Sequence, residues 1–215
     1  MTRTTAPSPP LLDRASRGLR WPLRGVARRI ARRMSANVVS VTRVVLLPGV
    51  LWLIFVERSI GPGIGLYVLS WLLDILDGAV AAERQTLGKA DDPALGELVD
   101  TVCDKVFVLP LLGVLAVTSP GWVGRSVLGV VLASELMLLV RRWLDYRRGV
   151  TVYSPLAVGK IKVWLQAIGV GLLLVVTPRS DGVVAGIGLL LLAATLPINV
   201  VSLRAKLAAG AERSA

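Results

Sequence analysis

Residues 71–78 read WLLDILDG, and residues 96–107 read GELVDTVCDKVF. The first stretch ends one long apolar run and the second begins the next, so carboxylates stand at the ends of membrane-sized segments: Asp74, Asp77, Asp100 and Asp104. Ionised groups in such segments are costly and usually functional. Four of them would repel one another strongly unless cations bind between them. The two stretches therefore predict a metal site.

The composition predicts the class of protein. The chain has 215 residues, of which 54% are hydrophobic, and its mean hydropathy is +0.68. Apolar runs of membrane-spanning length recur and are continuous, whereas a transmembrane barrel needs alternating strands. We therefore expect an all-α, multi-pass membrane protein. Its six transmembrane helices are predicted near residues 38–56, 62–82, 96–117, 123–143, 157–177 and 183–203.

Charge and residue usage exclude several kinds of chemistry. The formal net charge is +11. Nucleic-acid binding is one interpretation, but the placement of the basic residues favours a membrane surface and anionic headgroups or phosphates, so we expect no nucleic-acid partner. The chain has no histidine and one cysteine, Cys103. Histidine triads, histidine-bound metals, intramolecular disulfides and cysteine-cluster sites are thereby excluded, and acid–base chemistry must come from carboxylates, Lys or Tyr.

The chain divides into four parts. Residues 1–22 are predicted to be a disordered tail, and residues 23–36 an amphipathic helix on an anionic leaflet, because apolar residues recur there at helical spacing among arginines. A solvated basic arm is the alternative. The membrane domain is predicted over 37–204, followed by a C-terminal tail at 205–215.

Lys and Arg are concentrated on one side of the predicted spans. They cluster before Asn37, in the stretch 144–156 with its flanking residues, and after residue 203. By the positive-inside rule this side is cytoplasmic. We therefore expect both termini and the aspartates to face the cytoplasm, in the cell's inner (cytoplasmic) membrane.

The spacing of the aspartates predicts how they meet. Asp74 and Asp77 are three residues apart and Asp100 and Asp104 are four apart, so each pair lies on one helical face. A connecting loop would make the second and third helices antiparallel neighbours. Oxygen ligands suit hard cations such as Mg²⁺, and two-metal sites serve phosphoryl transfer. Solvated carboxylates, pairing with a nearby Arg or Lys, and an ion or proton pathway are the alternatives.

These residues carry a family resemblance. The chain resembles the CDP-alcohol phosphatidyltransferases, whose signature is D-x-x-D-G-x-x-A-R-x8-G-x-x-x-D-x-x-x-D. The matching residues are Asp74, Asp77, Gly78, Ala81, Gly96, Asp100 and Asp104. The family's arginine falls on Ala82, which leaves Arg84 as a candidate substitute, and the stretch from Ala82 to Gly96 is longer than in the family.

Other segments extend the resemblance. Residues 37–43 look like the N-x-x-T-x-x-R start of the family's first helix; an N-cap followed by polar contacts between helices is the alternative.

Glu135 and Arg142 resemble the R-E-x6-R pattern of the phosphatidylglycerophosphate synthase branch. Lys160 and Lys162 resemble its G-K-x-K, although positive-inside flanking also explains them. For Glu135, a buried contact between helices is the alternative. Two positions depart from these patterns: Ser134 and Val163.

The resemblance implies an activity. Members transfer a substituted phosphate from a CDP-linked lipid to an alcohol and release CMP. It implies two Mg²⁺ ions, with Mn²⁺ as an alternative, held by the four aspartates, and Asp104 as the base that takes the acceptor's proton. Gly78, Ala81, Arg84 and Gly96 would line the nucleotide side. A homodimer is also implied.

The sequence also bears on the identity of the two substrates. CDP-diacylglycerol is the expected donor, and glycerol 3-phosphate is the best-fitting acceptor because cations are available for its phosphate. These are Lys105, Arg141, Arg142, Lys160 and Lys162. Inositol phosphate or another polar alcohol stays open, as does a descendant that has lost activity.

Overall fold

The chain is described from a computed structural model, which describes residues 24–89, 93–119, 121–147, 157–177 and 182–211. These residues form helices and no strand, so the predicted all-α class is confirmed for them. The helices are α1 (Arg24–Ala31), α2 (Ala36–Leu51, continued by a π-helical turn Trp52–Val56), α3 (Ile60–Thr86), α4 (Pro93–Thr118), α5 (Trp122–Arg147), α6 (Ala157–Val176), α7 (Val183–Ala193) and α8 (Thr195–Ala211).

Five helical segments are long and apolar enough to cross a membrane. They are Ala36–Val56, Ile60–Thr86, Val99–Thr118, Trp122–Leu144 and Val183–Arg204, the last formed by α7 and α8 together. The fifth of the six predicted spans corresponds to α6, whose described apolar part, Ile161–Val176, is shorter than a full crossing. The protein is therefore a multi-pass membrane protein with five candidate spans and one shorter apolar helix.

The N-terminal helix is shorter than predicted. It ends at Ala31 and not near residue 36. Ala27 and Ala31 are fully buried and pack against Ala79 and Val80 of α3, while Arg28 and Arg29 are exposed. Its position on a membrane surface stays a prediction. The predicted tail at 1–22 lies outside the described residues, and at the other terminus α8 continues to Ala211.

Helix α2 lies against both aspartate-bearing helices. The sequence predicted that α3 and α4 are neighbours; in the described part of the chain α3 packs most extensively on α2, while α4 packs on α5 and also on α2. Helix α2 buries Val39, Ser40, Arg43, Leu47 and Val50. Two of these five are polar, so α2 brings polar groups to the place where the aspartates were predicted to face one another.

An aromatic cluster supports the bundle near the aspartates. Tyr67 of α3 donates a hydrogen bond from its hydroxyl to the Ala167 carbonyl of α6, at 2.8 Å. Its ring stacks on Phe107 of α4, with centroids 6.1 Å apart. A buried Tyr hydroxyl needs such a partner, since an unpaired one is costly in an apolar interior. These contacts fix α3, α4 and α6 relative to one another.

Candidate active site

Three carboxylates converge between α3 and α4. Asp74 and Asp77 of α3 and Asp100 of α4 each offer an oxygen atom, and these atoms lie within 4.8 Å of one another. Asp77 is buried, Asp74 is half-buried and Asp100 is exposed, so the group opens in one direction. The three-residue spacing puts Asp74 and Asp77 on one face of α3. The prediction that the two pairs meet therefore holds for three of the four.

Helix α2 contributes two polar side chains to this group. Ser40 donates a hydrogen bond from Oγ to Oδ2 of Asp77, at 2.7 Å. Arg43, whose side chain is 1% exposed, donates from Nη1 to Oδ1 of Asp74. Ser40 and Arg43 are three residues apart and thus share a helical face. The sequence did not assign either residue to the site, although residues 37–43 carried the signal.

Arg43 also holds the fourth aspartate. Its Nη2 lies 2.8 Å from Oδ1 of Asp104, which is one turn beyond Asp100 on α4. Asp104 is not part of the close group of three, and its side chain remains 26% exposed. The four aspartates thus divide into a convergent group and one carboxylate paired with a buried guanidinium.

The structure distinguishes the two parts of the alternative interpretation of residues 37–43. Ser35, and not Asn37, is the N-cap of α2, so the N-cap interpretation of Asn37 is wrong. The contacts that Ser40 and Arg43 make with α3 and α4 confirm the other part of that interpretation, polar contacts between helices. Gly96 lies beside this segment, and a Cβ there would be 3.8 Å from Oδ1 of Asn37.

A second polar cluster surrounds Glu135 of α5, which is fully buried. Lys105 of α4 donates to Oε2 at 2.5 Å, and Lys162 of α6 lies 2.8 Å from Oε1 and 3.0 Å from Oε2. Gln166 and Asn199 donate to Oε1 at 2.7 and 2.8 Å. Lys105 directly follows Asp104, so this cluster adjoins the aspartates. The buried-contact interpretation of Glu135 is thereby confirmed.

The remaining predicted site residues are dispersed. Gly78 and Ala81 lie on α3 after Asp77. Arg84 donates from Nη1 to the carbonyls of Ala31 and Met34, at 3.3 and 3.2 Å, so part of its guanidinium holds the end of α1. The side chain of Lys160 lies outside the described part of α6.

An apolar groove runs beside Asp100. Arg142 of α5 acts electrostatically on that carboxylate. It also lines the groove, which has a volume of about 290 Å³, together with residues of α4 and α5: Thr101, Val102, Leu139, Val140 and Trp143. The site therefore has an apolar surface next to its most exposed carboxylate.

The residues present fit a divalent metal. Three carboxylate oxygens at this separation form the all-oxygen ligand set that hard cations such as Mg²⁺ prefer. Nε of Arg43 is buried without a hydrogen-bond partner among the described residues. Buried donors without partners are costly and point to a further acceptor at the site, such as the oxygens of an anionic ligand.

Comparison with known proteins gives one match. The sequence model of the CDP-alcohol phosphatidyltransferase family matches residues 33–201, which include both clusters. No curated protein and no solved structure matches the chain.

Proposed function

The chain belongs to the CDP-alcohol phosphatidyltransferase family, and from this premise we propose that it transfers a phosphatidyl group from CDP-diacylglycerol to glycerol 3-phosphate. The family transfers a substituted phosphate from a CDP-alcohol to an alcohol in phospholipid synthesis. The donor lipid and the acceptor named here are the proposal. The observation that carries it is the convergence of Asp74, Asp77 and Asp100 beside Asp104.

Three aspartates are the proposed metal ligands. Asp74, Asp77 and Asp100 would hold Mg²⁺, with Mn²⁺ as the alternative, and the number of ions is proposed to be two. A bound divalent metal supplies neutralisation of the charge that develops on the diphosphate oxygens. Ser40 orients Asp77 through its 2.7 Å hydrogen bond, and Arg43 orients Asp74. Hydrogen-bonded partners of metal ligands commonly tune metal affinity in this way.

Asp104 is the proposed base. Its carboxylate takes the proton from the acceptor hydroxyl, the acceptor oxygen forms a bond to the phosphorus of the phosphatidyl group, and the bond from that phosphorus to the CMP oxygen breaks. Asp104 suits this role because Arg43 holds it in place while its side chain stays partly open. Its position outside the group of three supports a proton-transfer role more than metal binding.

The basic residues support a phosphorylated acceptor. Lys105 directly follows Asp104, Lys162 shares the carboxylate of Glu135 with Lys105, and Arg142 acts on Asp100. Phosphate is bound by such cations through charge-assisted hydrogen bonds. The nucleotide-side roles of Gly78, Ala81, Arg84 and Gly96, and a role for Lys160, remain proposals from the family motif.

Location and assembly are also proposed. The excess of Lys and Arg at the end of the bundle that carries the aspartates supports a cytoplasmic site in the inner membrane, with both termini on that side. A homodimer is proposed from the family alone. The predicted parts 1–22, 23–36, 37–204 and 205–215 are kept as the proposed division of the chain.

The test is a CMP-release assay on the purified full chain. CDP-diacylglycerol is supplied with Mg²⁺ and, in separate reactions, glycerol 3-phosphate, inositol phosphate and neutral alcohols. We expect CMP release that requires glycerol 3-phosphate and stops with EDTA. Release only with another acceptor would refute the proposed acceptor, and no release with any acceptor would favour a descendant without activity.

Variants test the roles of the residues. Asp104→Asn should abolish turnover while Mg²⁺ still raises the unfolding temperature, because the metal ligands remain. Asp100→Asn should weaken that Mg²⁺ response. Glu57→Gln is the matched control, since Glu57 is exposed and its carboxylate accepts a hydrogen bond from the indole of Trp52, at 3.1 Å. Full-rate turnover by Asp104→Asn would contradict the base assignment.

A further inference from the structure

A pocket lies at the end of the bundle away from the aspartates. Its volume is about 350 Å³, within the roughly 300–1,000 Å³ of small-molecule sites. Five helices line it, α2, α4, α5, α6 and α7, through Phe55, Leu115, Leu128, Leu173 and Ala185. Thr118, a further lining residue, follows Asp104 by about four helical turns on α4, or roughly 21 Å. This distal pocket is therefore separate from the proposed active site.

The wall of the distal pocket suits an apolar group. Leu115, Leu128 and Leu173 are buried residues of the hydrophobic core. Two threonines also line the pocket, and each donates its hydroxyl to a carbonyl of the preceding helical turn, at 2.8 Å: Thr118 to Val114 and Thr177 to Leu173. Because these donors already have acceptors and the leucines offer no polar group, a hydrocarbon chain gains more there than a polar metabolite.

Two arginines stand at the rim of the distal pocket. Arg58 lines the pocket and is exposed. Arg125 donates from Nε to the carbonyl of Ser119, at 2.7 Å, and Ser119 is a lining residue. Within the described ranges these are the basic residues at this end of the bundle. The apolar pocket thus has a positively charged opening.

The acids at this end of the bundle are Glu57 and Asp181. Glu57 accepts a hydrogen bond from the indole of Trp52, at 3.1 Å. Asp181 lies outside the described residues. In the part of the chain that the structure describes, no ion pair joins Arg58 or Arg125 to an acid. The two guanidinium groups therefore suit an anionic ligand.

The backbone before α3 has two uncommon features at this pocket. Arg58 has a φ of 58°, in the left-handed region that favours glycine, and it follows the π-helical turn Trp52–Val56. Both kinds of feature occur disproportionately at functional sites. The turn packs closely on α3, because a Cβ at Gly63 would overlap the side chain of Ile54. This segment supplies the pocket with an apolar ring, Phe55, and a cation, Arg58.

We propose that the distal pocket binds an anionic phospholipid of the leaflet opposite to the aspartates, with one acyl chain in the pocket and the phosphate on Arg58. Guanidinium groups bind phosphate oxygens through charge-assisted hydrogen bonds. Trp52 and Trp122 lie at the same end and are 55% and 79% exposed, and exposed tryptophans are typical of the level of the lipid headgroups. This inference does not rest on the proposed reaction.

Lipid affinity is measured on the purified full chain in detergent, by thermal unfolding with added phosphatidylglycerol, phosphatidylcholine or oleate. Phosphatidylglycerol should raise the unfolding temperature more than the other two. Arg58→Gln should raise the phosphatidylglycerol concentration needed for half of this effect roughly tenfold, because a hydrogen bond to a charged group is lost. Arg58→Lys, which keeps the charge on an equally strained backbone, should recover part of the affinity.

Photochemical labelling locates the bound lipid. Phosphatidylglycerol with a diazirine in one acyl chain should label peptides that contain Leu115 and Leu189, two lining residues on α4 and α7. Thr118→Trp, at an exposed lining position, should block most of this labelling. Val117→Trp is the matched control, because Val117 is the preceding residue, is 78% exposed and is not a lining residue. It should label like wild type.

Several outcomes would overturn the inference. Pocket labelling that is unchanged in Arg58→Gln, or that is equally strong with a phosphatidylcholine probe, would show that charge does not select the lipid. Oleate as effective as phosphatidylglycerol would refute the phospholipid assignment. A fall in unfolding temperature for Arg58→Gln that is the same with and without lipid would assign Arg58 to an ion pair inside the protein. A chain that releases no CMP but is labelled as expected would refute the proposed reaction and support this site.

Discussion

Replacing Arg43 by alanine tests the organisation of the aspartate site. The guanidinium is 1% exposed and contacts Asp74 and Asp104, so its removal leaves two carboxylates without their cation. Removing one partner of a buried ion pair costs about 3–5 kcal/mol. The two carboxylates are 22% and 26% exposed, and water therefore relieves part of the penalty. We expect a loss of about 3 kcal/mol, at the lower end of that range.

The assay is thermal unfolding of the purified full chain in detergent with EDTA, followed by tryptophan fluorescence. For a chain of this size 1 kcal/mol corresponds to about 2–4 °C, so the unfolding temperature should fall by roughly 6–12 °C. Thr42→Ala is the matched control, because Thr42 is exposed and its hydroxyl donates to the Val38 carbonyl of its own helix. It should unfold close to wild type.

A double-mutant cycle tests whether the loss comes from the ion pair. Arg43→Gln combined with Asp104→Asn should be less destabilised than the sum of the single variants, with a coupling of about 0.5–3 kcal/mol. Unfolding of Arg43→Ala within a degree or two of wild type, or a cycle without coupling, would refute the reasoning that Arg43 holds the aspartates.

Three further predictions concern neighbouring contacts. Ser40→Ala removes the donor to Asp77, so the Mg²⁺ concentration that half-saturates thermal stabilisation should rise roughly tenfold; an unchanged Mg²⁺ response would contradict the orienting role. Gly188→Ala places a Cβ 3.0 Å from a facing carbonyl of α6 and should cost about 1–3 kcal/mol of stability. Gly186→Ala on the same helix meets no atom within 4 Å, and equal unfolding temperatures for the two variants would argue against close packing of α6 and α7. Arg84→Ala should speed hydrogen exchange in α1 and leave the Mg²⁺ response intact, because it removes the donors to the carbonyls at the end of α1. Unchanged exchange would show that these hydrogen bonds do not stabilise α1.

Features with a local cause could be predicted from the sequence. The helices begin and end within a few residues of the apolar runs, since the length of such a run sets what can cross a bilayer. The pairing of Asp74 with Asp77 on one face follows from helical periodicity alone. The structure departs from the prediction at α1, which ends at Ala31. The described apolar part of α6 leaves the fifth of the six predicted spans unconfirmed.

The neighbours of each helix could not be predicted in this way. The sequence predicted that the faces of α3 and α4 meet, and their aspartates do converge. It did not predict that α2 lies against both helices and brings Ser40 and Arg43 to the aspartates. Likewise, Lys105 and Lys162 were assigned to a phosphate by their position, and their contact with Glu135 across 27 or more residues of chain appears only in the fold. Side-chain periodicity says which face a residue occupies, but not which helix covers that face.

The sequence by itself determined that this is a helical membrane protein, that it carries the signature of its family, and that carboxylates of two of its helices would come together. Those properties depend on composition, hydropathy and short spacings, which act within one helix. Only the tertiary structure decided that three aspartates converge while Asp104 pairs with Arg43, and that one buried glutamate holds two lysines. These contacts depend on how helices distant in the chain pack together. An unpaired buried charge is costly, so each charged group pairs with a group that the packing brings close to it.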